Sequence, residues 1–473
     1  MLKKILIFLL TLITLMSTVA CGENESGVGG GVGGGGQGDI DNQTVAVDQT
    51  KLPEIKLTFP YGEPERKEEG YVSGYVTTAN CVQDEILDAV EAEVKIRGNS
   101  TARADKKPYR IKFKKKQSML GLNGGRKYRN WVLLADAYDY SMMRNYFIFN
   151  TGNLLSNIHS SDCKHVSLYI NNIYQGVYLL AEQNEVNEGR IDVDELGVET
   201  TTNTGFFVEA DSRALDECEL FTPSMSVSEI NTTKDYCIKV VYKSRSSKLK
   251  PDLEQLFAIK SDLSTNKEVA HAQLTRIQGY MQSVYDALFN YQGEEVIRSL
   301  IDVESAVDMF IVNNIASLRG GKRSDYYYID FSDDDPKLHF GPPWDYDLDC
   351  GNYDMVDDPN SFQALGSSDY VNYTLNNNAW FVTEVKTRWI TNKMYSKLKE
   401  LLKTVDPYRS TSIPSVYKAE FDKNYEKWDV WGTKTIEFIN DDVLDFTCHR
   451  DAVVDFYNWM QPHVEYANSQ WGR

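Results

Sequence analysis

Four stretches of this chain hold residues whose types and spacing could do chemistry. The first runs Lys95-Ile96-Arg97-Gly98-Asn99-Ser100-Thr101 and leads into Lys106-Lys107-Pro108-Tyr109-Arg110-Ile111-Lys112-Phe113. Cations at alternating strand positions, joined by a polar loop with glycine, can hold phosphate oxygens through charge-assisted hydrogen bonds. A solvated basic strand face is the plain alternative. The second is Tyr178-Leu179-Leu180-Ala181-Glu182-Gln183, where a carboxylate closes an apolar strand. The third is Gly205-Phe206-Phe207-Val208-Glu209-Ala210-Asp211, again with acids after an apolar run. A strand end reaching solvent would explain either. The fourth is Gly341-Pro342-Pro343-Trp344-Asp345-Tyr346-Asp347-Leu348-Asp349. Alternating aspartates after a proline-fixed turn suit hard, oxygen-seeking cations.

Two familiar loops are disfavoured. Asp345, Asp347 and Asp349 imitate the opening of an EF-hand, but Cys350 stands where that loop needs Gly and Val356 where it needs Glu. Gly320-Gly321-Lys322-Arg323-Ser324 lacks the leading Gly and the Lys-Ser adjacency of a Walker A loop.

The elements that must position these groups can be read coarsely. Strands are expected over Ala92–Arg97, Tyr109–Phe113, Trp131–Ala135, Val166–Ile170, Gly176–Ala181, Gly205–Glu209 and Tyr236–Tyr242. Asn171 to Gln175 reads as a hairpin turn, and Met142–Leu155 has helical spacing. Asp252–Tyr291 reads as two helices and Asp302–Ala316 as another. Tyr326–Phe331 and Lys337–Gly341 read as a hairpin, with helices prevailing from Trp380 onward. The fold class is therefore α+β: a β-rich lobe over about 52–245, then a helix-rich lobe over about 246–473.

The start of the chain has a different character. Lys3 and Lys4 precede an uncharged apolar run, Ile5–Met16, and then Ser17-Thr18-Val19-Ala20-Cys21. The run is short of the roughly 20 apolar residues that span a bilayer and fits a signal-peptide core. Small residues before a Cys resemble a lipobox, although Thr18 stands where Leu is usual. Residues 1–21 are thus expected to be a lipoprotein signal peptide, with Cys21 acylated; an ordinary secretory signal is the alternative. Gly27–Gly38, broken by Val28, Val32 and Gln37, cannot build a core, and residues 22–51 read as a flexible tether. The expected location is extracytoplasmic, on a bacterial membrane through lipid on Cys21.

A net charge of −19 argues against nucleic acid and against electrostatic binding to anionic lipid. Besides Cys21 there are Cys81, Cys163, Cys218, Cys237, Cys350 and Cys448. Disulfides and buried thiols both fit, and Cys218–Cys237 is the first candidate pair. No CxxC and no HExxH occurs, which argues against a zinc ribbon or a zincin.

Taken in order, KIRGNST, KKPYRIKF, NWVLLADAYDYSMMRN, VSLYINNIYQGVYLLAEQ, GFFVEAD, YYYIDF and KLHFGPPWDYDLDCGN resemble the CotH (spore coat protein H) kinase family. The resemblance covers about Ala92 to Asn352, and the tract from Trp380 is similar to that family's helical end. It implies a two-lobed, atypical protein-kinase-like fold that holds ATP and Mg2+ or Mn2+ between the lobes. It implies transfer of phosphate to Ser or Thr of a protein acceptor. By that resemblance Arg97 and Lys112 hold phosphates, with Lys112 or Lys107 as the kinase-type lysine. Glu182 pairs with that lysine, the tract around Glu209 borders the adenine, and Asp345 binds the metal with Asp347 close by.

The sequence departs from the family at the base. An Asp is commonly found about six residues before the aromatic strand. Counting back from Tyr326 gives Gly320, and Ser317–Ser324 contains no acid. Asp325 is the candidate base, with Asp308 a turn or more away on the helix. Asn313 or Asn314 stands where an acid is often found. A pseudokinase that binds a ligand is therefore the alternative reading.

Overall fold

The computed structural model describes residues 46–195, 197–243, 252–290, 292–318, 324–354, 358–363 and 370–473. The leader, Cys21 and the glycine tether lie outside them, as does the Walker-like tract up to Arg323. Val45–Arg473 forms one compact unit. No helix among the described residues is long and apolar enough to cross a membrane.

Seven strands close into a barrel: β1 (Glu54–Thr58), β2 (Val72–Ala79), β3 (Val90–Ile96), β4 (Tyr109–Gln117), β5 (Tyr128–Leu134), β6 (Cys163–Ile170) and β7 (Ile173–Glu182). Their order around the barrel is β1-β2-β3-β4-β5-β7-β6, with β6 returning parallel to β1. Strict alternation builds it. Ala92, Val94 and Ile96 of β3 and Tyr109, Ile111 and Phe113 of β4 fill the interior with Trp131, Leu168 and Leu180. Glu93, Lys95, Arg110 and Lys112 must therefore face outward.

A second, six-stranded sheet is formed by β8 (Gly205–Ala210), β9 (Glu219–Leu220), β10 (Tyr236–Lys243), β11 (Asp252–Ile259), β12 (Asp325–Asp330) and β13 (His339–Phe340). Its order is β13-β12-β8-β11-β10-β9. The helices are α1 (Arg144–Asn153), α2 (Lys267–Phe289), α3 (Glu294–Leu300), α4 (Val303–Ile315), α5 (Tyr370–Asn376), α6 (Ala379–Thr391), α7 (Met394–Val405), α8 (Ile413–Val416), α9 (Lys418–Lys427) and α10 (His449–Trp471). One large apolar core joins α1, α2, α4, α6, α7 and α10 to this sheet and to the outer face of β5 and β7.

The mixed α+β class expected from the sequence is observed, strand-rich first and helix-rich later. Three local readings are corrected. Asp252–Ile259 is a strand, not the start of a helix, because it pairs with β10 on one side and β8 on the other. The β10–β11 pairing also carries the second sheet across residue 245. The turn between β6 and β7 takes two residues, Asn171 and Asn172, both at positive φ (48° and 66°), instead of five. Such a turn matches the twist of the flanking strands, and Asn tolerates the left-handed region well. Cys218 and Cys237 are free thiols that share a small apolar cluster with Ala214 and Ala258.

Candidate active site

The outward residues of β3 and β4 place cations on one face. Lys95 and Arg110 stand opposite each other in register. Arg97 follows the end of β3, where its amide donates to the Pro108 carbonyl at 3.1 Å. Gly98 then turns the chain at φ 86°, where a Cβ would collide with the Thr101 hydroxyl. The Arg97 guanidinium lies 5.1 Å from the centre of the Trp344 ring. Burial lowers its pKa, and Asp345 and Tyr326 oppose that shift. Burial likewise lowers the Lys95 ammonium, and the positive charge of Arg110 adds to the effect.

Facing these cations is the loop after β13. Asp345 is exposed, at φ 68°, while Asp347 is buried. The loop is held at several points. The Tyr346 amide donates to Asn145 Oδ1 at 2.8 Å, and the Tyr346 hydroxyl to Asn313 Oδ1 at 3.0 Å. Asn352 Nδ2 donates to the Asp347 carbonyl at 2.6 Å, and Arg144 Nε to the Asp349 carbonyl at 3.0 Å. Arg144 is itself fixed by Asp139, 2.6 Å away in the interior. Phe149 stacks on Trp344 at 5.8 Å between ring centres.

A cleft of about 250 Å³ lies between the two sides. Arg97, Lys95, Arg110, Lys67, Arg213 and Lys260 supply its cations, and Glu209, Asp211, Glu217, Asp345 and Asp347 its acids. Six cations against five acids leave the cleft close to balanced in charge, in a chain carrying −19 overall. Glu209, opposite Tyr326 in the β8–β12 pairing, accepts from Lys260 at 2.7 Å. Burial drives the Tyr326 phenol upward, with the Glu209 charge adding to it. Lys67 spans to Asn99 Oδ1 and Glu217 Oε1, each at 2.7 Å.

The structure thus brings Arg97, Glu209, Asp345 and Asp347 into one cleft. It leaves other expected residues outside. Lys112 sits two positions beyond Arg110, with its ammonium 5.4 Å from the Tyr71 ring centre. Lys107 donates to the Ala102 carbonyl at 3.1 Å and lines a neighbouring hollow with Arg66 and Arg103. Glu182 is fully buried and meets Arg190 Nε at 3.0 Å, Asn123 Nδ2 at 2.8 Å and the Asp162 amide at 2.9 Å. Arg190 continues to Glu185 at 2.6 Å, and Glu185 to Arg110 at 3.9 Å. Glu182 therefore reaches the cationic face through Arg190 and Glu185, not through a direct bond to Lys112.

Neither candidate base lines the cleft. Asp325 lines a small hollow with Asn313 and Asn372, while its neighbours Ser324 and Tyr326 line the cleft. Alternation along β12 explains the difference. Asp308 is buried, accepts from the Asn157 amide and side chain at 3.0 Å, and lies 3.5 Å from Arg388. Asn314 also has a structural place: its side chain donates to the Phe310 carbonyl, and its own carbonyl accepts from His463.

Among the described residues no group of three His, Cys, Asp or Glu side chains is placed to hold a metal. Two carboxylates on one loop still fit a Mg2+ ion, which keeps water ligands and completes its shell with phosphate oxygens. Zinc would want more protein ligands of a softer kind.

The fold and the cleft define a mixed α+β protein in which a barrel and a second sheet flank a cleft dense in charged side chains, with an aspartate-bearing loop on one side. The chain belongs to the CotH kinase family: the family model described as CotH kinase protein matches residues 94–465, most of its length. A comparison with curated proteins gives no match.

Proposed function

We propose that this protein is a surface-anchored, metal-dependent protein kinase that transfers phosphate from ATP to Ser or Thr of a protein acceptor. The observation that carries this reading is the meeting of Arg97 with Trp344 and Asp345 across one cleft. A phosphate-binding cation there faces a metal-binding carboxylate. The barrel and the helix-rich remainder would serve as the two lobes of a kinase-like fold, with ATP between them.

Phosphoryl transfer is mainly positioning and charge neutralisation. Arg97 and Arg110 would hold phosphate oxygens, with Lys95 adding charge. Asp345 and Asp347 would hold Mg2+ or Mn2+, which when bound neutralises charge between the phosphates. Glu209, salt-bridged to Lys260, would border the base. The acceptor hydroxyl enters from the open side of Asp345. Lipidation of Cys21 would keep the domain on the outer face of a membrane, at the end of the 22–51 tether.

A second reading is favoured by the placement of Asp325 and Asp308 away from the cleft. On that reading the protein is a pseudokinase that binds nucleotide or another ligand without efficient transfer. Loss of a general base costs on the order of 10²–10⁴ in rate.

The test is incubation with Mg-ATP or Mn-ATP and a Ser-rich acceptor, read by intact mass, with Asp345→Ala in parallel. Added phosphate in the parent alone supports a kinase. Mg-ATP binding without transfer supports the second reading, and the absence of both overturns the kinase reading and leaves a protein that binds a ligand other than nucleotide.

A further inference from the structure

Behind the cleft is a larger cavity, of about 490 Å³. Its walls come from three places: Arg103–Lys106, the segment from Asp136 to Met142, and α9 with the residues just after it. Tyr138 faces the cleft, while Asp136 and Ala137 face this cavity, so one short segment separates the two spaces.

The floor of the cavity holds two buried ionisable groups, Lys106 and Asp136. The Lys106 ammonium donates to the Val177 carbonyl at 2.5 Å and lies 4.8 Å from the Tyr178 ring centre. Asp136 accepts from Asn145 Nδ2 at 2.8 Å through Oδ1. Among the described residues no ion pair within 4.0 Å joins Lys106 to Asp136, although the charge of each still favours that of the other at longer range. Two opposite charges taken out of water would ordinarily close on each other, because an unpaired buried charge is strongly unfavourable. Here they face a shared space instead. Burial lowers the Lys106 amine and raises the Asp136 carboxyl, and the opposite charge of each partly offsets the other's shift. Either group would regain its charge against a ligand group of opposite sign.

The rim repeats the pattern. Arg103 and Lys427 stand with Asp105 and Asp429, and Tyr140, Met142, Trp428 and Val430 give an apolar side. A phosphate-rich ligand would meet three carboxylates in this cavity. A neutral apolar ligand would leave both floor groups unpaired.

We propose that this cavity is a second binding site, for a zwitterionic ligand of the α-amino acid or short-peptide class. The ligand carboxylate meets Lys106, its ammonium meets Asp136, and its side chain lies against Tyr140 and Trp428. The proposal stands apart from the kinase reading, since it uses no residue assigned there to nucleotide or metal.

The experiment uses the full chain in detergent. The standard L-amino acids and glycyl dipeptides are screened at millimolar concentration by thermal shift, and calorimetry follows on the strongest. With L-phenylalanine as the working probe, N-acetyl-L-phenylalanine lacks the ammonium and L-phenylalaninamide lacks the carboxylate. Each blocked form is expected to bind about tenfold more weakly, the loss of one charge-assisted contact. Asp136→Asn and Lys106→Met should abolish the preference for the free amino acid, and Asp345→Ala should leave it intact. Because the blocked ligands are tested on the parent chain, the outcome does not depend on either floor variant folding. Equal binding of free and blocked forms, no binding by any member of the screen, or loss of binding in a folded Asp345→Ala protein would each overturn the proposal.

Discussion

The backbone amide of Tyr346 donates to the side-chain carbonyl of Asn145 at 2.8 Å, across 201 residues of chain. The same Asn145 side chain donates to Asp136 at 2.8 Å. One amide therefore fixes the loop that carries Asp345 and Asp347 and ties it to the wall of the cavity behind. Asn145→Ala should leave a buried amide without its acceptor, at about 1–3 kcal/mol. The expected result is a lower melting temperature and weaker Mg-ATP binding, both read on the same preparation. Unchanged binding at a reduced melting temperature would show that the loop holds its shape without this bond.

Arg110 and Lys112 are separated by one residue on β4 and share its outward face. Arg110 lines the cleft and Lys112 does not. Arg110→Ala is expected to weaken Mg-ATP binding by roughly tenfold, as for loss of one charged phosphate contact. Lys112→Ala should change it little. Isothermal titration of the two variants separates these residues, and a larger loss for Lys112→Ala would return the kinase-type role to the lysine.

Glu182 and Arg190 form an ion pair in which both side chains are essentially inaccessible, at 1% and 0%. Arg190 keeps Glu185 at 2.6 Å when Glu182 is removed, so Glu182→Ala should cost about 1–3 kcal/mol, from the buried donors it leaves without an acceptor. Glu182→Gln with Arg190→Met should cost less than the two single changes summed, since the Glu182–Arg190 pair is then removed together, while Glu185 loses its Arg190 partner in both the Arg190 single and the double variant. Urea denaturation of the single and double variants gives the coupling directly. Additive losses would mean the two groups are stabilised independently.

Much of this arrangement was legible from pattern. Alternation in KIRGNST and KKPYRIKF places Arg97 at the cleft, and the proline-fixed turn before Asp345 marks the loop opposite. What pattern leaves open is distance along an outward face. Arg110 and Lys112 have the same parity, so alternation cannot say which of them reaches the cleft. Parity does separate Asp325 from Ser324 and Tyr326, once the pairing of β12 with β8 is known. Lys67 and Lys260 belong to no motif and come to the cleft through tertiary packing alone. Arg190, the partner of Glu182, lies beyond the end of β7 in a loop with no periodic signal. Asp252–Ile259 was open to a helical reading because its polar residues carry no strict alternation, and two neighbouring strands decide its state.

His165 and His449 grip adjacent carbonyls of one buried segment. Each neutral ring donates from Nε2, His165 to Met142 at 2.8 Å and His449 to Ser141 at 2.9 Å. Burial pushes both rings down to about 4, against the opposing backbone bonds. In the unfolded chain the same rings take up protons below about 6.5. Between pH 6.5 and 4 the unfolded state therefore binds more protons, and stability falls as pH is lowered through that window. Above 6.5 these rings give no pH dependence, and below 4 their loss is complete. Each ring contributes on the order of 3 kcal/mol at neutral pH that acid removes. Asp136 works the other way, because its raised carboxyl binds a proton in the folded state over much of the same range. The comparison to make is thus parent against His449→Gln, by urea titration at steps from pH 7 to pH 4, with Asp136 present in both. The variant should start less stable and lose less on acidification, so that the two curves converge near pH 4. Parallel curves would mean that His449 takes up its proton over the same pH range folded and unfolded, so that its ring does not depend on neutrality to hold Ser141.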